Sequence, residues 1–423
     1  MVDDDPEGVS MTTPVDTKDD TVPASLTLEE ALNSARTLGQ LVRDEAAATE
    51  ARSYHSEELH RGFLAAGFYH LLRPKTFGGY EFTLAEFLLV MREIARADMA
   101  TGWCLTLASG HNLQVASLWP EHAQREIFSG PYFAAPMTSA PAGTLTRVEG
   151  GFIVNGKHSY ASGVPYSTHF SGHAFHDDRP GVVSTFIAPR ESYTVLDDWG
   201  HTLGLKGSGS HSVLFSDAFI PGHYVLEGVN QTALDISTGT PGLALHGNPM
   251  FGASEIGFFG AELANLAVGG ALGALDEYAA LMPHKKTTRP PFPNRTEDLF
   301  FQHRFGVATA KLESAQATLD HAAALFQQFV ERTAEGGDAI TPKEDFLVHL
   351  VASQAGEIAW GAVQEILFKS AGSSAVVNGS RLERIFRDLS QWWSHLNTVM
   401  ADPAATAYTR AHFNVGEFAK DPL

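Results

Sequence analysis

The chain has 423 residues, enough for about three average structural units and a core that needs neither disulfide nor structural metal. Its one cysteine, Cys104, excludes a disulfide scaffold, a cysteine zinc ribbon and an iron–sulfur site, and points to a reducing, cytoplasmic setting. With 29 Lys+Arg against 49 Asp+Glu, the net charge of −20 repels phosphate backbones and anionic lipid surfaces, so neither nucleic acid nor a membrane is expected as a partner.

Residues 1–24 carry Asp3, Asp4, Asp5, Glu7, Asp16, Asp19 and Asp20 against Lys18 alone, with Pro and Thr between them, and read as a disordered acidic leader. It has no basic start and no apolar stretch, so a secretion signal is not expected. Residues 25–130 read as helical. Thr27-Leu-Glu-Glu30 and Thr83-Leu-Ala-Glu86 have the form in which hydroxyl and carboxylate satisfy each other's free amides at a helix start, and each precedes an apolar run of helical spacing. Phe77-Gly-Gly-Tyr80 reads as the loop between them.

Over 131–230 the period changes to two. Asn155-Gly156 predicts a tight hairpin turn between Phe152–Val154 and Lys157–Tyr160, and further strands are expected at Thr168–His176, Val182–Ala188 and Ser212–Ile220. This is a central antiparallel β domain.

Residues 231–423 return to long helices. Gly257–Leu275 is apolar, but it contains Glu262 and Asn265, lacks flanking basic residues and is rich in Gly and Ala, which favours a buried helix over a membrane span. Phe301–Arg332 offers Ala308, Ala310, Ala315 and Ala317 for close helix approach. Thr341-Pro-Lys-Glu344 starts another helix, and segments near 345–370 and 380–400 complete a four-helix bundle. The fold class is therefore α+β.

Phosphate-loop, dinucleotide, HExxH and GxSxG signatures are absent. The glycines of Leu203–His211 form either a β-turn or a nest of amides for a phosphate. His55 and His60 are five apart, and His169 and His173 fall on a strand, so no metal site is expected. On a helix, Arg384, Asp388 and His395 share one stripe; Arg384 and Asp388 can pair, and His395 beside Trp392 is either a tunable proton carrier or a structural histidine.

Eight stretches in order carry a resemblance: Thr101-Gly-Trp103, Gly110-His-Asn112, Val148–Gly156, Tyr160-Ala-Ser-Gly163, Asp197-Asp-Trp199, Gly204–His211, Gly247-Asn-Pro-Met250 and Phe386-Arg-Asp388. Together they resemble the acyl-CoA dehydrogenase fold family, and within it the branch of two-component flavin-dependent monooxygenases, over nearly the whole chain beyond the leader. The resemblance implies an N-terminal helical domain, a central β domain and a C-terminal bundle, assembled as a homotetramer in which a neighbouring subunit closes the site.

For function, it implies an oxygenase component that takes reduced flavin, FMN in preference to FAD, from a separate NAD(P)H:flavin reductase. That flavin would react with O2 to a C4a-hydroperoxide and oxygenate a small aromatic or heteroaromatic substrate. Ser162 falls beside the reactive flavin nitrogen, with Gly163 allowing close ring approach and Tyr160 packing nearby. Ser210 falls among the cofactor-binding residues, and Arg289 near the flavin phosphate. His395 falls near the oxygen-reacting carbon and His111 in the substrate pocket.

Two other classes stay open. A FAD-dependent acyl-CoA dehydrogenase needs a carboxylate to take the proton α to the thioester. No Glu lies between Glu383 and Glu417, and Phe133–Thr144 lacks the acidic residues of the dehydrogenase signature, but Glu262 is a rough positional candidate. The other class is a helical assembly protein without catalysis.

Overall fold

The computed structural model describes residues 22–415 apart from 231–233, 235, 253 and 254, so nearly all of the acidic leader lies outside the described residues. Six helices come first: α1 (Leu28–Arg52), α2 (Glu57–Ala65), α3 (Leu84–Ala97), α4 (Met99–Gly110), α5 (Asn112–Leu118) and α6 (Glu121–Ile127). Both expected capping boxes are present: Thr27 and Glu30 start α1, and Thr83 and Glu86 start α3.

The chain then forms a seven-stranded sheet from β1 (Thr144–Val148), β2 (Gly151–His158), β3 (His169–His176), β4 (Val183–Pro189), β5 (Thr194–Val195), β6 (Val213–Pro221) and β7 (Val225–Leu226), in the order β5-β6-β2-β1-β3-β4-β7. All pairs are antiparallel except β1 with β3, which run parallel at Thr144↔Phe175 and Leu145↔His176.

The expected hairpin at Asn155-Gly156 is not there. β2 runs straight through it, and the register against β6 shifts between Val154 and Gly156. The pair makes a β-bulge, with Gly156 at a φ of 137° and Asn155 Nδ2 donating to Asp217 at 3.0 Å. The turn itself lies at Glu149-Gly150, where Gly150 takes the left-handed φ of 80° that joins β1 to β2. Both dipeptides tolerate positive φ; the strand partners decide which one turns.

Eight more helices follow: α7 (Pro241–His246), α8 (Ile256–Leu281), α9 (Leu299–Ala334), α10 (Pro342–Gly361), a π-helical stretch Ala362–Phe368 leading into α11 (Lys369–Ala371), then α12 (Arg381–Trp393), α13 (Leu396–Val399) and α14 (Ala401–Phe413). The apolar α8 is buried at the centre. Its glycines let neighbouring backbones close in: an added Cβ at Gly260 would lie 3.1 Å from His349 Cα of α10, and one at Gly269 would lie 2.7 Å from Ala95 Cβ of α3. Its polar Asn265 accepts from Arg92 Nε at 2.9 Å and donates to Leu88 O at 2.9 Å, so the residue that argued against a membrane span joins α8 to α3. On α9, Ala308 and Ala315 are buried one heptad apart, whereas Ala310 and Ala317 face outward.

The helix expected over 380–400 breaks. Ser394 Oγ donates to Gln391 O and Thr398 Oγ1 to Trp392 O, closing the end of α12. His395 then begins α13 as its N-cap, its Nδ1 accepting from the Asn397 amide at 3.2 Å. His395 thus leaves the stripe of Arg384 and Asp388.

Packing of this kind has a direct test. At Gly102 a Cβ would sit 2.7 Å from Ala95 Cα and 2.8 Å from Ala95 N, backbone atoms that cannot turn aside. Gly102→Ala is expected to lower stability by about 1–3 kcal/mol in urea unfolding. Gly306, exposed on α9 with nothing near its missing Cβ, should give the opposite sign, with Gly306→Ala raising stability by roughly 0.5–1 kcal/mol.

Candidate active site

Asp98 caps α4, its Oδ2 accepting from the Thr101 amide at 2.9 Å and from Thr101 Oγ1 at 2.8 Å. One turn on, the flush contact at Gly102 sets Trp103 so that its Nε1–H donates to Ser162 Oγ at 3.0 Å. Ser162 follows β2 through Tyr160, whose φ of 65° bends the chain and leaves its ring 63% exposed, edge-on to Trp199 with centroids 5.4 Å apart. Gly163 differs from expectation in what it admits. At a φ of 83°, an added Cβ would lie 2.9 Å from Cys104 O and 3.1 Å from Ala108 Cβ, so its lack of a side chain lets the β segment sit on α4.

The glycine loop supplies the other side. Lys206–Ser208 forms a single 3-10 turn between left-handed Leu205 and Gly209. The loop is a turn, and the amides of Leu205, Ser208 and Gly209 are spent on Asp388 Oδ1, Leu205 O and Ser53 O. What the loop delivers is hydroxyls: Ser210 Oγ is 2.8 Å from Ser162 Oγ and 2.6 Å from Ser208 Oγ.

His395 completes this wall. Its ring meets Trp103 edge-on, with centroids 5.1 Å apart at 75°, and desolvation lowers its pKa to about 4, so it is a neutral imidazole at pH 7. His111 stands at the corner between α4 and α5. Its Nδ1 lies 2.6 Å from Ala135 O, which fixes the proton on that nitrogen and leaves Nε2 as the acceptor; burial lowers its pKa to about 4 as well. Its ring packs 5.5 Å from that of Phe259 on α8.

The structure therefore brings Ser162, Gly163, Ser210 and His395 together, with Tyr160 at the edge and His111 at the end of α4. It does not bring Arg289 to them. Arg289 is exposed on the loop after α8, and about 25 Å of helix, at 1.5 Å per residue, runs from Ala264 beside Trp392 to Leu281. The expected Arg384–Asp388 pair is absent too. Arg384 Nε and Arg387 Nη2 both bind Glu50 Oε2 at 3.0 Å, and Asp388 accepts the Leu205 amide at 2.6 Å. Burial and then the nearby Asp98 push Asp388 up to about 8.

Sequence reasoning left Trp103 and Ser208 without a role. The Ser-Gly-Ser spacing at 208–210 was the available signal, since a kink at the central glycine can turn both hydroxyls to one side. Glu262, the candidate α-proton base, lies at the end of α4 that carries His111. Its carboxyl is enclosed between α8 and α4, against Gly110, with neither oxygen hydrogen-bonded, and burial raises its pKa well above the usual range.

A neutral imidazole, a buried hydroxyl and an indole on one wall suit a planar heterocycle bearing nitrogen acceptors. The chain matches the acyl-CoA dehydrogenase N-terminal domain over residues 29–132 and the acyl-CoA dehydrogenase C-terminal domain over 261–399. It is 30% identical to the flavin-dependent monooxygenase oxygenase subunit HsaA of Rhodococcus jostii (strain RHA1), across 82% of this chain and 89% of that one. The chain belongs to the acyl-CoA dehydrogenase fold family, in its branch of two-component flavin-dependent monooxygenases. It is accordingly an oxidoreductase, the oxygenase component of such a system.

Two solved structures share this monooxygenase's fold. XiaF from Streptomyces sp., solved with FADH2 and glycerol, superposes with a TM-score of 0.81 at 22% identity, over 94% of this chain and 96% of that one. TdsC from Paenibacillus sp. A11-2, solved with FMN and indole, gives 0.74 at 19%, over 92% and 100%.

The two site histidines make the oxygenase acid-labile. The unfolded chain takes up their protons near pH 6.5, whereas the folded chain holds them off until about 4. Between those values the unfolded state binds more protons, so stability is lost as pH falls from about 6.5 towards 4. Urea midpoints measured across that window should decline, and His111→Asn, if it folds, should decline less steeply.

Proposed function

We propose that this oxygenase takes reduced FMN in preference to FAD, uses O2, and inserts one oxygen atom into a small aromatic or heteroaromatic substrate. Bound reduced flavin supplies the electrons that activate oxygen. The chain's own part is to hold the ring, exclude water and manage protons. Ser162 would hold the reactive ring nitrogen, and His395, a neutral imidazole on the same wall, would donate or accept a proton where oxygen reacts. His111, its Nε2 lone pair free, takes a hydrogen bond from a substrate hydroxyl or ring N–H.

One observation supports an oxygenase over a dehydrogenase: the wall around Ser162 carries an imidazole and hydroxyls, while Glu262, the positional candidate for a base, is enclosed against Gly110. By analogy of fold, XiaF with FADH2 and TdsC with FMN and indole support a bound flavin and a heteroaromatic substrate; the choice of FMN over FAD is this proposal's own. A separate NAD(P)H:flavin reductase, working in the same cytoplasmic compartment, is the implied source of reduced flavin.

A homotetramer is part of the same proposal. Leu396 and Val399, 53% and 59% exposed, flank the turn that bears His395, and a second copy covering them would remove apolar surface beside the site. Arg289, remote from Ser162 within its own chain, would then serve the flavin phosphate of a neighbouring copy.

Anaerobic titration decides the reading. The purified protein should be largely colourless, bind reduced FMN more tightly than oxidised FMN, and form a transient absorbing adduct on mixing with oxygen. Bleaching of a yellow protein by an acyl-CoA would overturn it. His395→Ala should slow adduct formation or shorten its life by tenfold or more, with the melting temperature nearly unchanged. Lost stability with intact chemistry would make His395 structural.

A further inference from the structure

The hydroxyls behind Ser162 fix which way its proton points. A serine has one proton and two acceptor lone pairs. Trp103 Nε1–H can only donate, so it fills one lone pair of Ser162 Oγ at 3.0 Å. The contacts Ser162–Ser210 at 2.8 Å and Ser210–Ser208 at 2.6 Å must each be made by one of the three hydroxyl protons. One proton is left over, and there are three places to leave it.

If Ser162 donates to Ser210 and Ser210 to Ser208, the unused proton is on Ser208, which is 1% exposed. If Ser162 and Ser208 both donate to Ser210, it is on Ser210, 3% exposed. Among the described residues neither hydroxyl has another acceptor, and an unused buried donor is costly. If Ser208 donates to Ser210 and Ser210 to Ser162, the spare proton sits on Ser162, the most exposed of the three at 8% and the one beside His395's wall. This last polarity leaves no proton without use inside the protein.

We propose that Ser208 and Ser210 are positioning residues which, with Trp103, fill both lone pairs of Ser162 Oγ and so present Ser162 to the flavin as a donor that cannot accept. The inference rests on the flavin reading above. Oxidised flavin has a lone pair at N5, whereas reduced flavin carries an N–H there. A Ser162 with no free lone pair can donate to that nitrogen in either state, but it cannot take its proton. The arrangement forgoes one hydrogen bond from the reduced ring, which lessens the preference for reduced FMN without reversing it, and in return denies the N5 proton a route out.

The test compares wild type with Ser210→Ala, which frees one lone pair, and Ser210→Thr, which keeps the hydroxyl. Dissociation constants for oxidised and for chemically reduced FMN are measured anaerobically, with melting temperatures alongside. Ser210→Ala is expected to favour the reduced form, raising the ratio of oxidised to reduced dissociation constants by roughly fivefold, the scale of one net hydrogen bond. Ser210→Thr should restore the ratio, and Ser210→Ala should release more hydrogen peroxide without substrate.

Equal weakening of both redox forms, or an unchanged ratio, would show Ser210 to be merely structural and overturn the proposal. Should Ser210→Ala fail to fold, Trp103→Phe removes the other donor and must move the ratio the same way. A wild-type protein that binds neither redox form would instead sink the flavin reading itself.

Discussion

The docking of residues 203–210 against α12 is the contact on which the rest of the site depends. Gly204 lies so close to the backbone of Arg387 and Asp388 that any side chain would collide with it, and Arg387 Nη1 donates back to Leu203 O at 3.2 Å. Asp388 takes the Leu205 amide, and Gly207 rests on Thr49 of α1 and Ala100 of α4. Three parts of the chain therefore meet at one loop. Because the loop cannot slide, Ser208 and Ser210 reach Ser162 on one side while α12 ends beside Trp103 on the other.

That contact buries charge, and the way it does so explains the departures from the expected pairing. Two arginines and one glutamate, Arg384, Arg387 and Glu50, neutralise each other across α1 and α12, with Glu383 completing the Arg387 fork. Asp388, buried without an ion-pair partner and close to Asp98, resists ionisation although Arg387 opposes this, so at neutral pH much of its burial cost is avoided by keeping its proton. A carboxyl that is neutral can accept a backbone amide in a dry interface at small cost; an ionised one there would need a partner. The stripe on α12 placed Arg384 and Asp388 side by side correctly, but what a side chain pairs with depends on the helix that arrives opposite, and α1 lies more than 300 residues away in sequence.

The same distinction separates what was legible in the sequence from what was not. Local signals carried through: three Thr-x-x-Glu boxes start the helices they predicted, and the change from period 3.6 to 2 and back marks the sheet between the two helical regions. Errors arose where a residue type serves two geometries equally. Asn155-Gly156 suits a turn or a bulge, and only β6 as a partner selects the bulge. Ser394 and Thr398 are ordinary surface helix residues until their hydroxyls bind the last carbonyls of α12 and end it. For the site, the resemblance named Ser162, Gly163, Ser210 and His395, which do converge. Trp103 and Ser208 lie within the quoted stretches but received no role, because their importance lies in hydrogen bonds to other side chains, and Arg289 was grouped with residues that the length of α8 keeps apart.

The two sides of the site differ in how they are held. Ser162 Oγ is fixed by Trp103 and Ser210, while the next amide, Gly163 N–H, is tied to Ser208 O on the same glycine loop. His395 has no such frame: it caps a four-residue helix, and its neighbours Leu396 and Val399 are open to solvent. A group that binds a rigid ring benefits from being fixed, since each hydrogen bond made without reorganisation is worth more in a dry site. The chain places Ser162 on a turn held between α4 and the glycine loop and His395 on a helix break, so two side chains of one wall are fixed by different means.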